Sequence, residues 1–304
     1  MTSIFSILFE TILPVILIAG AGYILQRRMH PDPRSLSRLA LYILSPCLGF
    51  TTIAQSKIAT DTLWRMAAVA ALGLIAMVLV GTLAAGLLRL SRPDRAALQL
   101  SLALPNAGNF GLSVCLLAFG EVGLSLALIY FITSSLLTNS LGVFLASRGG
   151  RSDGFKESLR SVLGMPLLYA AILGLIVNFT RFSVPAPLMK AVDLAGKAAV
   201  PVMLVNLGMQ LAGSRLGQDW RVLSAGTVLK LLAAPALTLG LAAALRLSGV
   251  AWQVALVEAA TPTAVTTVIV CDEFDASPAL ASSMVLVTTI FSLFTITGLL
   301  ALIT

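Results

Sequence analysis

Apolar runs long enough to cross a bilayer, separated by short polar stretches, set the pattern of this 304-residue chain. An α-helical crossing needs ~20 mostly apolar residues. Windows 66–88, 96–120, 122–147, 161–180 and 279–304 meet that length without a charged residue. Shorter or lightly interrupted windows at 11–26, 36–56, 188–212, 222–245 and 250–271 supply the rest. Ten transmembrane helices are predicted. The alternation over ~10-residue segments that an outer-membrane barrel requires is absent. The start carries Glu10 but no positive charge ahead of its apolar stretch, and Arg27 and Arg28 follow it. It therefore reads as a first membrane helix, not as a cleaved signal.

The two halves echo each other at an offset between 152 and 157 residues. Pro14 and Gly22 in the first crossing match Pro166 and Gly174 in the sixth. Pro46, Gln55 and Trp64-Arg65 match Pro201, Gln210 and Trp220-Arg221, and Pro105 in the fourth crossing matches Pro262 in the ninth. Shared order and a nearly constant offset mark an internal repeat. Residues 1–150 form the first five-helix unit and residues 151–304 the second. Five crossings is an odd number, so the second copy lies upside down relative to the first. Inverted repeats of this kind are a transporter architecture.

Composition agrees with the pattern. Hydrophobic residues make up 58% and charged residues 11%, and the mean hydropathy is +0.98. A soluble domain carries about 25% charged residues. Soluble enzyme, disordered chain, collagen and disulfide scaffold are excluded.

The net charge of +7 sits in short runs between apolar blocks. No aromatic residues interleave with those runs as nucleic-acid stacking platforms would, so no nucleic-acid partner is expected. Alternate loops hold thirteen Lys and Arg residues, from Arg27, Arg28, Arg34 and Arg38 through Arg89, Arg92 and Arg95, Arg148, Arg151, Lys156 and Arg160, to Arg215 and Arg221. The opposite loops hold five: Lys57, Arg65, Arg181, Lys190 and Arg246. The positive-inside rule makes the first set cytoplasmic and puts both termini outside a cell membrane.

The fourth crossing reads Leu104-Pro105-Asn106-Ala107-Gly108-Asn109-Phe110-Gly111 near the middle of its apolar run. The ninth reads Ala260-Thr261-Pro262-Thr263-Ala264 at the equivalent depth. Proline removes a backbone donor and clashes with the preceding turn, so each helix opens there. Freed backbone groups in hydrocarbon cost several kcal/mol unless protein or enclosed water satisfies them. Two breaks at matched depth therefore imply a buried polar centre. Each new half-helix offers N–H groups and a positive dipole end to a carboxylate. Asn106, Asn109, Thr261 and Thr263 are expected to cap those ends or donate to the substrate, with Pro105, Gly108 and Pro262 shaping the site. The carbonyls before each break offer oxygen ligands to a cation.

Ionisable residues inside a membrane are functional candidates by default. Glu258 lies four residues before Pro262 and is the candidate coupling-ion residue, either taking a proton or helping to ligate Na+. The plainer role is a structural acid paired with a donor such as Lys230. Lys230 itself either attracts the anion or snorkels to the headgroups. Asn206, Gln210 and Gln55 are candidate pathway residues or interhelical hydrogen-bonding groups. Asp193 and Lys197 stand four apart in the favourable acid-before-base order. Cys47, Cys115 and Cys271 show no metal or disulfide spacing and read as small buried hydrophobes. The single histidine, His30, falls in a loop, leaving no intramembrane metal pair or nucleophilic triad. Neither an enzyme nor a cofactor is expected, apart from Na+ or H+ as a coupling ion.

At 104–111, 259–264 and 271–289 the sequence resembles the auxin efflux carrier family. Asp272-Glu273-Phe274-Asp275, then Ala281-Ser282-Ser283 and Thr288-Thr289, is similar to that family's approach to its tenth helix. The resemblance implies a fold shared with bile-acid sodium symporters. In that fold crossings 1, 2, 6 and 7 form a scaffold, and crossings 3–5 and 8–10 form a moving core. It also implies a homodimer and organic-acid substrates. The long cytoplasmic loop of plant members is missing, since 147–160 is short. The sequence thus reads as a secondary transporter of a small organic anion working by an elevator motion in the lipid bilayer. The rivals are a sodium-coupled symporter of bile-acid type and a transporter-like sensor.

Overall fold

The computed structural model describes residues 4–147, 163–214, 216–217, 219–273 and 276–304. The loop residues Arg148, Arg151, Lys156, Arg160 and Arg215, with Phe274 and Asp275 of the tenth-helix approach, lie outside the described residues. All regular elements among the described residues are helices. Six are long and apolar enough to span a membrane.

Three long helices open the chain: α1 (Ile4–Met29), α2 (Pro33–Ala54) and α3 (Thr60–Leu87). Then follow α4 (Arg92–Ala103) and α5, which starts as a π turn at Ala107–Gly111 and continues as Leu112–Ser147. The second half comprises α6 (Pro166–Thr180), α7 (Ala186–Lys197) and α8 (Ala199–Ala212). Next come α9 (Trp220–Ala244), α10 (Val250–Ala259), α11 (Thr266–Glu273) and α12 (Pro278–Ile303). A helix of 26 residues such as α1 reaches about 39 Å at ~1.5 Å per residue, more than the ~30 Å of hydrocarbon to be crossed.

The boundaries follow local chemistry. Asp32 caps α2 by accepting from the N–H groups of Arg34 and Ser35, both at 3.1 Å, with Pro33 at the first helical position. Ser91 caps α4 in the same way, accepting from Asp94 N at 3.3 Å, ahead of Pro93. Within α5, Gly120 takes φ 64° and ψ −155°, a conformation that only glycine adopts cheaply. It divides α5 where the charge-free windows 96–120 and 122–147 meet. The seventh window is jointed at Ala198, between α7 and α8.

Small residues set the closest helix approaches. Gly22 of α1 lies on the Val205 backbone and Gly208 of α8 lies on Ala19, so a Cβ at either position would collide with a carbonyl oxygen. Gly174 of α6 packs on the Phe50 carbonyl of α2, and Gly196 of α7 on Leu48. These contacts tie α1, α2, α6, α7 and α8 together. Gly81 joins α3 to Gln99 of α4, and α5 packs on α3 and α10 while α12 packs on α4, α9 and α11. Exposed Phe5, Leu17, Leu87, Leu173, Phe294 and Leu302 give the outside an apolar surface suited to lipid.

Polar contacts gather at two opposite ends. At one, Ser37 bonds Asn206 and Gln210, Ser277 bonds Asp94, and Gly217 N donates to Ser283. At the other, Asn178 Nδ2 donates to the carbonyls of Ala54 (3.1 Å) and Ser56 (2.8 Å). Arg65 there donates to those of Leu245 (3.1 Å) and Arg246 (3.0 Å).

Candidate functional site

The chain breaks at both prolines, and the two breaks meet. Pro105 and Thr263 form an antiparallel bridge. Asn106 N donates to Pro262 O at 2.8 Å, and Ala264 N to Leu104 O at 2.9 Å. This short ladder lets two interrupted helices cross inside the protein with their freed backbone groups paired, as hydrocarbon demands.

Accounting for those groups one by one shows how the site is built. An unbroken α4 would return the N–H of residue 105 to Ser101 O, but proline has none. Ser101 O instead accepts from Thr263 Oγ1 at 2.8 Å. Asn106 N has turned to Pro262, so Leu102 O loses its helical donor and accepts from Lys230 Nζ at 3.1 Å. Likewise Pro262 cannot donate to Glu258 O, which takes Thr261 Oγ1 at 2.6 Å. Thr263 N finds Thr288 Oγ1 of α12 at 3.0 Å. The carbonyls expected to await a cation are thus largely taken by the protein's own donors. Thr261 and Thr263 face back onto preceding carbonyls instead of capping the following half-helices.

What stays open sits at the start of α5. The N–H groups of Ala107, Gly108 and Asn109 make no hydrogen bond to a described residue. The Asn106 side chain makes no capping bond; it is 4% exposed, and its Nδ2 has no hydrogen-bond partner among the described residues. An unmet buried donor beside three open N–H groups and a positive helix end is an arrangement for an anion. Asn109 is half-buried next to it. Gly108 lies so close to the Phe131 ring that a Cβ would stand 2.7 Å from it.

Glu258 closes the other side. It lies in the last turn of α10, fully buried, and its Oε2 has no partner among the described residues. Its carboxyl lies directly over Gly111, where any Cβ would collide with both oxygens. Cys115 Sγ, one turn further along α5, lies 3.8 Å from Oε1. No ion pair joins Glu258 to Lys230: among the described residues the salt bridges are Arg65–Asp61 at 2.9 Å and Lys197–Asp193 at 2.7 Å. In the sequence Gly111 stands out only as part of the fourth-crossing segment, and Cys115 only as a small hydrophobe. Their four-residue spacing, which puts both on one face of α5, is the signal that joins them to Glu258.

The three candidate pathway amides lie elsewhere. Asn206 Nδ2 and Gln210 Nε2 donate to Ser37 Oγ at 3.0 and 3.2 Å, linking α8 to α2. Gln55 is exposed and reaches Met189 Sδ at 3.7 Å. A small cleft opens between α2 and α6 on one side and α3 and α5 on the other, lined by Thr52, Ser56, Thr60, Ser125 and Asn178 among others. Cys115 and Cys271 are buried and Cys47 is partly so, all three as free thiols.

Residues 7–300 match the family described as "Membrane transport protein". The chain belongs to this family, the auxin efflux carrier family. Among its relatives is an uncharacterized transporter of Methanothermobacter thermautotrophicus, 28% identical over 93% of this chain and 94% of that protein. An uncharacterized transporter of Methanocaldococcus jannaschii is 27% identical over 52% of each chain. A Rhizobium meliloti protein named "Putative malonate transporter" is 30% identical over 47% of this chain and 45% of its own. The match therefore spans about half the length of the last two. The chain is a multi-pass membrane protein of a transporter family.

Proposed function

We propose that the protein is a secondary carrier of a small organic anion, a carboxylate, moved by alternating access. The carrying observation is Asn106: a buried amide donor with no partner, beside the open N–H groups that start α5. A carboxylate supplies the two acceptor oxygens that such a cradle lacks, and malonate, from the name of the Rhizobium relative, is the first substrate to test.

The elevator form of that function follows from ten crossings in two inverted repeats, 1–150 and 151–304. The fourth crossing is α4 with α5 as far as Gly120, and the ninth is α10 with α11. Packing supports the symmetry. Gly22 rests on Val205 and Gly174 on Phe50; Gly22 and Gly174 are repeat mates, and the offset between Phe50 and Val205 falls in the same range, between 152 and 157 residues. The scaffold of α1, α2 and α6–α8 stays fixed while the remaining helices carry the crossover past it. The polar end holding Ser37 and Asp94 is cytoplasmic in this arrangement, both termini are outside, and a homodimer anchors the scaffold.

Glu258 is the coupling residue. A thiol and a glycine face its carboxyl, surroundings that suit a proton better than the oxygen shell of a metal ion.

A thermal-shift series on purified protein tests the binding claim. Small mono- and dicarboxylates, malonate included, are added with and without sodium and across pH. At ~100 times its dissociation constant a true ligand stabilises by about 2.7 kcal/mol. The shift is expected to vanish in Asn106→Ala. Binding by no carboxylate under any condition, or full binding by the variant, contradicts the assignment. Binding without flux in vesicles would indicate a sensor, and an absolute sodium requirement a sodium symporter.

A further inference from the structure

Lys230 is used by nothing in the function described so far. It belongs to a π turn at Leu229–Ala233 within α9, and such turns recur at functional positions. Its side chain is 2% exposed. Among the described residues no carboxylate lies within ion-pair distance of it. Among the described residues its hydrogen-bond partner is a backbone carbonyl, Leu102 O, at 3.1 Å. An ammonium group buried without a counter-ion is expensive and keeps its proton only where its surroundings supply negative potential.

They do so through backbone dipoles. Leu102 is in the last turn of α4, where the macrodipole places roughly half a negative charge on unsatisfied carbonyls. The Pro105 break exposes that end inside the protein. Of the other carbonyls freed in this turn, Ser101 O is met by a neutral hydroxyl. Leu102 O is met by the ammonium. Oxygens of this kind at a broken helix are what a small monovalent cation would otherwise bind.

We propose that Lys230 is a built-in cation: its ammonium occupies the carbonyl end of the first broken helix in place of a metal ion. The crossover therefore needs no sodium or potassium at that end, and Glu258 is left to carry a mobile proton. The inference rests on the crossover being the carrier's working centre, but its test uses no substrate, so the two can fail separately.

The test is thermal unfolding of the full chain in detergent, as wild type, Lys230→Ala and Lys230→Met. Each is measured at equal ionic strength in choline, sodium, potassium or methylammonium chloride. Wild type is expected to unfold at one temperature in all four salts. Lys230→Ala should lose about 5 °C in choline and regain most of it in methylammonium, whose N–H groups refill the vacated position. Lys230→Met fills the space without a donor, so it should stay destabilised in every salt. A wild type stabilised by sodium over choline overturns the proposal. So does Lys230→Met unfolding like wild type, or methylammonium failing to restore Lys230→Ala. If Lys230→Ala does not fold, the wild-type comparison and Lys230→Met still decide.

Discussion

At the scale of single residues, the crossover puts opposite demands on two neighbouring groups. Asn106 offers a donor without an acceptor, and Glu258 offers an oxygen without a donor. Buried polar groups are rarely left unmet unless something else completes them. With a proton as the coupling ion, Glu258→Gln fixes that position in a permanently neutral form. The variant is expected to transport without the pH dependence of wild type; an unchanged pH profile removes Glu258 from the mechanism. Gly111→Ala attacks the same place from below, because its Cβ would collide with the carboxyl. Transport should fall at least ~10-fold, the equivalent of about 1.4 kcal/mol, while a Gly86→Ala control meets nothing within 4 Å of its new Cβ. Equal, mild effects from both would mean that Glu258 holds no special position. Outside the membrane, the Ser35 hydroxyl, aided by the Arg34 N–H, holds the Asp32 carboxyl below its usual range. A lowered folded-state value means that this cap stabilises above the ordinary carboxylate range near ~3.9 and is lost on acidification below it. Asp32→Ala should therefore unfold earlier than wild type at neutral pH, and the gap should close as the pH falls through that range.

Elements are held at two kinds of joint. Glycine contacts bring α1 onto α8 and α2 onto α6, and prolines open the helices that cross. Gly208→Ala forces a methyl group into the Ala19 carbonyl, and overpacking of that kind costs ~1–3 kcal/mol. Its melting temperature in detergent should drop, whereas Gly20→Ala, with nothing within 4 Å of the new Cβ, should behave as wild type. Much of this level was legible in the sequence. Pro105 and Pro262 announce their breaks by lacking a donor, and Glu121 ends the charge-free window next to the residue where Gly120 turns the chain. The π turns at Ala40–Leu44 and Leu229–Ala233 were not legible, because no residue type marks one extra residue in a helical turn. Partners far apart in the sequence were equally hidden. Lys230 meets Leu102 across 128 positions, and no periodicity carries that distance. Thr261 and Thr263 had the right chemistry for capping, but their hydroxyls donate to carbonyls that the prolines freed, Glu258 O and Ser101 O.

At the scale of the whole molecule, the loops predicted to share a membrane face also share hydrogen bonds. Ser277, between α11 and α12, bonds Asp94 at the start of α4, and Arg65, at the start of α3, bonds the end of α9. With single cysteines placed at Arg92 and at Arg181 in a cysteine-free background, a membrane-impermeant thiol reagent added to intact cells should label position 181 and reach position 92 only after the cells are opened. Labelling of both from one side contradicts the two-ended arrangement. A carrier differs from a channel or a sensor in one respect, that bound substrate on one side must exchange for substrate on the other. Counterflow of labelled malonate or another carboxylate into proteoliposomes preloaded with the unlabelled acid measures that exchange directly. Wild-type protein is expected to accumulate label transiently above its external concentration and Asn106→Ala to give no overshoot; no overshoot with any carboxylate that binds wild type, or the same overshoot from the variant, would contradict a carrier built on the crossing of two broken helices.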